Sequence, residues 1–208
     1  LEAHTKELRA DAAVISDGSQ FARGIPAITY GLRGLAYFQI DVTGPSIDLH
    51  SGVYGGIGTN PVQTLAGILA GLKNPDGTVA IPGFYDDVAD LDERERKEMA
   101  SLPLDEDALT GYLGVEALTG ESGYCAQERK TARPTLDVNG IWGGFSGEGA
   151  KTVIPSKSGA KVSMRLVPNQ TQERVKRLFH EHVNSLSTPG IKIQVTDLYG
   201  ADPVLIRR

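Results

Sequence analysis

Residues 32–44, LRGLAYFQIDVTG, constrain the fold more than any other stretch of the chain. Leu35, Tyr37, Gln39 and Asp41 fall on one side of an extended backbone, and Ala36, Phe38, Ile40 and Val42 fall on the other. Successive side chains of a strand point to opposite faces, so this pattern predicts a long strand with one face in a core and one toward solvent. The apolar face needs a cover. Asn60 is a suitable N-cap and Pro61 suits the first helical position. Leu65, Ile68, Leu69 and Leu72 then recur at helical spacing, and Asn74-Pro75-Asp76-Gly77 is expected to stop that helix. A second helix is capped by Thr171 and presents Val175, Leu178, Phe179, Val183 and Leu186 before Pro189-Gly190 ends it.

Three more strands follow from alternation: residues 135–145, residues 159–168, and IKIQVTDLYG with Ile191, Ile193 and Val195 on one side. Residues 10–18, ADAAVISDG, read as a short buried strand ending at Asp17-Gly18. Between about 78 and 130 the chain turns acidic and weakly apolar, which reads as a helical insertion with its charge run on a solvated face. The predicted class is α+β: a ferredoxin-like βαββαβ order, with a four-stranded antiparallel sheet, helices on one face and the insertion added.

With 208 residues and 40% hydrophobic content the chain can bury a core. A net charge of −5 argues against nucleic acid or an anionic membrane as partner. No apolar run approaches the ~20 residues that span a bilayer. Cys125 stands alone, which excludes an internal disulfide and a cysteine metal cluster and fits a reducing compartment. GYCAQ offers the thiol no adjacent base, so it reads as inert and partly buried. The chain opens without Met and without a signal peptide, so it is expected to be a segment of a longer protein.

Several familiar motifs fail on inspection. GGFSGEGAKT, residues 143–152, has Ala150 between its last glycine and Lys151, and VIPSK behind it denies the helix that a phosphate loop requires. GIGTNP lacks the third glycine of a dinucleotide fingerprint, and GFSGE lacks the second glycine of a nucleophile elbow. His50 and Ser51 would face opposite ways on a strand. His180 and His182 are about 200° apart around a helix, wrong for one metal, and read as surface residues. Single polar residues remain at element ends: Asp17, His50, Thr152 and Arg165. Each has a plain reading as a turn former, a loop residue or a surface ion-pair partner.

Two long segments carry a resemblance. ITYGLRGLAYFQIDVTGPSIDLHSGVYGG, residues 28–56, and GFSGEGAKTVIPSKSGAKVSMRLVPNQT, residues 144–171, resemble the lid region of the M20 zinc metallopeptidases, and within them the carnosinase-type cytosolic dipeptidases. The resemblance implies a dimerisation (lid) domain over 29–200, a catalytic-domain remnant over 1–28 and a return segment over 201–208. It implies a cytoplasmic homodimer whose parent enzyme hydrolyses dipeptides with two zinc ions. His50 of the LHSG motif would reach the partner subunit's active site near the scissile carbonyl. Thr152 would also reach across the dimer, Arg165 would bind the substrate carboxylate, and Asp17 would match a zinc ligand. The family's HxD segment, bridging Asp, Glu-Glu pair and last zinc-binding His have no match here. This chain is therefore expected to bind no zinc by itself and to be inactive in isolation. Two alternatives stay open: a stand-alone ferredoxin-like ligand-binding or regulatory module, and a parent acting on another amide such as an acylated amino acid.

Overall fold

A computed structural model describes residues 2–12, 18 and 20–206. Two units separate near residue 30. The first holds a short helical turn, Glu2–His4, an His4–Glu7 contact of 2.9 Å, and a tight bridge between Ala22 and Ile25. The strand expected over 10–18 lies largely outside the described residues.

The second unit begins with β1 (Gly31–Leu32) and β2 (Gly34–Thr43). In β2 the even residues from Ala36 to Val42 are fully buried and the odd ones half-buried, as the alternation dictates. A small pair follows: β3 (Leu49–His50) runs into the single turn α1 (Ser51–Tyr54). α2 (Pro61–Ala70) starts where expected, with the Asn60 side chain accepting the Val62 N–H at 2.9 Å. It ends earlier than predicted. Gly71 caps it, and Asn74–Gly77 form a separate turn that bridges Lys73 to Val79.

The insertion carries α3 (Glu93–Ala100), α4 (Glu106–Leu113) and α5 (Ala126–Thr131). Its charges are not all solvated. Arg96 donates to Glu128, which is only 2% exposed. Burial by itself would push the Glu128 carboxyl up, but Arg96 and the Cys125 N–H hold it below the usual carboxylate range. Arg133 forks onto both oxygens of Glu121 and lies 4.2 Å over the Tyr124 ring. These contacts fasten an insertion with little apolar surface of its own.

Next come β4 (Thr135–Gly143), β5 (Val153–Ile154) and β6 (Lys157–Leu166), the last shifted two residues toward the N-terminus from its expected place. α6 (Gln172–Ser185), capped by Thr171, precedes β7 (Lys192–Ala201) and β8 (Val204–Leu205). The four long strands form one antiparallel sheet in the order β4-β6-β2-β7. α2 and α6 lie on one face, where Phe38, Ile40, Val162, Met164, Leu65, Ile68 and Phe179 share the core. The Phe38 and Phe179 rings stand 4.2 Å apart. On the outer face Trp142 lies across Gly159, where any side chain would collide with the indole.

Candidate functional site

His50 gets its place from a short ladder at one end of the sheet. Beyond β2, the Gly44 N–H donates to the Ser156 carbonyl at 2.9 Å, and Asp48 Oδ1 accepts the Ser156 N–H at 2.8 Å. Leu49 then pairs with Ile154 and His50 with Val153, and the Ser51 N–H donates to the Thr152 carbonyl at 3.1 Å. Ser51 is helical, so the strand geometry expected for the His50–Ser51 pair does not apply.

The His50 ring is the cap of that turn: its Nδ1 accepts the Gly52 N–H at 3.0 Å. An accepting Nδ1 carries no proton, so the neutral ring bears its hydrogen on Nε2. Nε2 lies 3.2 Å from the Thr152 hydroxyl, to which it donates. Both residues are exposed, beside glycine-rich backbone over residues 52–58 that a ligand can approach closely. The arrangement supplies a preset hydrogen-bond donor beside a hydroxyl. The structure thus brings together two of the residues singled out in the sequence, His50 and Thr152.

Arg165 stands elsewhere. It is exposed on β6, between Leu35 of β2 and Thr135 of β4. The His50 end of the sheet is at Thr43, opposite Lys157. From Leu35 to Thr43 is eight residue steps, about 27 Å at the usual strand rise. Arg165 has a cationic neighbour, Arg33. Burial first, and then the Arg165 charge, lower the Arg33 pKa, while Asp137 opposes the shift. Arg33, Asp137 and Asp48 were not singled out in the sequence, because their significance lies in partners from distant strands.

Asp17 lies outside the described residues. Among the described residues no group of three or more His, Cys, Asp or Glu is arranged to hold a metal ion. His180 and His182 are half-buried and engaged separately, His180 with Asp197 at 2.8 Å and His182 with the Gly71 carbonyl at 2.9 Å. Cys125 caps α5, where its N–H donates to Glu128 at 2.6 Å. No described helix is long and apolar enough to cross a membrane.

A four-stranded antiparallel sheet with helices on one face, and His50 presented from a short strand pair beyond its end, defines a mixed α/β domain. The profile of the peptidase dimerisation domain of M20 enzymes matches residues 30–190, and the chain belongs to that family. It is 40% identical over 185 residues to the Cys-Gly metallodipeptidase of Schizosaccharomyces pombe, covering 89% of this chain and 39% of that protein. It is 34% identical over 176 residues to the human Beta-Ala-His dipeptidase, covering 85% and 35%. The crystal structure of human carnosine dipeptidase 1 superposes with a TM-score of 0.76 at 32% identity, over 87% of this chain and 39% of that one. An M20 metallo-carboxypeptidase from Sulfolobus solfataricus gives 0.78 at 32% identity, over 96% and 52%. The chain spans about two fifths of the length of the curated dipeptidases it matches. The resemblance carried by residues 28–56 and 144–171 therefore holds at the level of the family and of its dipeptidase branch.

Proposed function

We propose that this chain is the dimerisation and substrate-lid domain of a zinc-dependent dipeptidase, with His50 and Thr152 serving the active site of the partner subunit and Arg165 binding the substrate carboxylate. The observation that carries this reading is the separation of about 27 Å along β2 between the Arg165 end and the His50 end of the sheet. An extended dipeptide spans only about 7 Å. One lid can therefore offer these residues to one substrate molecule only if they come from two protomers. His50 then directs its Nε2–H at the oxyanion that develops on the scissile carbonyl, and Thr152 holds that ring until substrate arrives. Arg165 offers a planar fork to the terminal carboxylate.

The strand order β4-β6-β2-β7 leaves β4 and β7 as edges and supports the ferredoxin-like βαββαβ reading. The dimer contact is assigned to the β4 edge. Val138 and Ile141 pair with the fully buried Val162 and Ala160, so they face the helix side, yet they stay 40% and 65% exposed. On β7 the corresponding Ile193 and Val195 pack into the core. An uncovered apolar edge strand is a pairing surface. The catalytic zinc ions and the general base belong, on this reading, to the rest of the parent enzyme, with Asp17 contributing there, residues 1–28 and 201–208 as its connections and 29–200 as the lid. The pure chain is then inactive toward dipeptides. The lone Cys125 suits a cytoplasmic location.

The test is His50→Ala in the longer enzyme. A fall in kcat of roughly 10²–10³, with the dimer intact by light scattering, is the expected result. Unchanged kcat, or turnover of a dipeptide by the pure chain with added zinc, would overturn the reading.

A further inference from the structure

We propose that Asp48 is a positioning residue for His50, its carboxylate pinning the segment that carries His50 to the segment that carries Thr152. The proposal rests on the reading of His50 and Thr152 as substrate contacts. Ser156 is the point of attachment. Its N–H donates to Asp48 at 2.8 Å, and its carbonyl accepts from Gly44 at 2.9 Å, so the exit of β2 holds both of its backbone polar groups. The two strands beyond this point, Leu49–His50 and Val153–Ile154, are two residues each. A pairing that short does not fix its own register, and a slip of one residue turns every side chain to the opposite face.

The apolar anchors there are slight. Ile154 is 4% exposed, but Leu49 is half-buried and both His50 and Thr152 are exposed. Asp48 lies two residues before His50 in extended chain, hence on the same side of it. Its bond to Ser156 decides that His50 stands opposite Val153, which in turn places the ring against the Thr152 hydroxyl. A carboxylate suits this task because a hydrogen bond to an ionised acceptor is shorter and stronger than a neutral one, which matters at an exposed site. Lys151, one residue before Thr152, adds an attraction of the same sense. Asp48 acts on His50 through the backbone and makes no contact with the ring in the hydrogen-bonded network.

Two substitutions and two readouts test the assignment. Asp48→Ala removes the acceptor, and Asp48→Asn keeps one. In the chain itself, NMR is expected to show Ser156 amide exchange at least about tenfold faster in Asp48→Ala, with the nuclear Overhauser contact between the His50 ring and Thr152 lost and both features retained in Asp48→Asn. In the longer dipeptidase, Asp48→Ala should lower kcat about tenfold or more while KM changes by less than about twofold, and Asp48→Asn should recover most of the loss. If Asp48→Ala leaves the His50–Thr152 contact and kcat unchanged while His50→Ala lowers kcat, the positioning role is wrong. If His50→Ala leaves kcat unchanged, the substrate-contact reading falls and the positioning role falls with it.

Discussion

The Nε2–H of His50 donates to the hydroxyl of Thr152 across 3.2 Å, although 102 residues separate the two in the chain. The bond exists because the Gly52 N–H occupies Nδ1 and leaves the ring proton on Nε2. Removing the hydroxyl by Thr152→Val should leave the ring capped but free to swing. The expected loss in kcat of the longer enzyme is up to about tenfold, the value of one hydrogen bond, and smaller than for His50→Ala. Steady-state kinetics on both variants checks the order.

Arg165 is exposed, makes no ion pair with a carboxylate among the described residues, and has Arg33 as a cationic neighbour. Arg165→Lys keeps the charge and loses the fork. KM for dipeptides with a free carboxylate should rise by roughly 10- to 100-fold, the worth of a charge-assisted bond, while C-terminally amidated substrates should barely respond. Equal effects on both substrate types would remove Arg165 from the carboxylate site.

Ile141 is 65% exposed on the β4 edge. Ile141→Lys places a charge on the proposed pairing surface, and edge lysines discourage strand addition. Self-association should weaken by at least about tenfold, whereas Thr196→Lys on β7 should not alter it. Sedimentation across a concentration series distinguishes the two edges.

The Glu121–Arg133 pair is 10% and 6% exposed, and its guanidinium lies 4.2 Å from the Tyr124 ring and 5.6 Å from the Tyr85 ring. Glu121→Ala leaves a buried guanidinium without its counter-charge and should cost about 3–5 kcal/mol in denaturant unfolding. Replacing Glu98, whose pair with Arg94 is solvated, should change stability by less than about 1 kcal/mol.

Hydrogen bonds from the Ser156 N–H and hydroxyl, and then the Lys151 charge, hold the Asp48 carboxyl below its ordinary range. Its folded pKa thus lies below the unfolded one. The stability it contributes is complete above the ordinary aspartate range and is lost as pH falls through the lower folded value. The Ser156 amide shift, followed by NMR on acidification, should titrate with that depressed value and should lose the transition in Asp48→Asn.

The long elements were legible in the sequence because their information is local. Alternation in β2 and helical spacing after Asn60 and Thr171 report on neighbours within one or two turns, and the structure places those apolar residues in the core. The helix end after Ala70 was misplaced because Gly71 stops the helix before the stronger turn signal at Asn74. The insertion read as a solvated charge run because Arg96 and Glu128 find each other across 32 residues. Nothing near either residue announces that pairing.

The sequence by itself determined the sheet-and-helix class, its caps and the presence of the LHSG and SMRLVPN segments, since periodicity and motif wording are properties of contiguous residues. The tertiary structure alone decided that His50 meets Thr152, that Asp48 clasps Ser156, and that Arg165 lies at the far end of the same sheet. Those relationships depend on strand register, and register is set by long-range backbone pairing that no local pattern encodes.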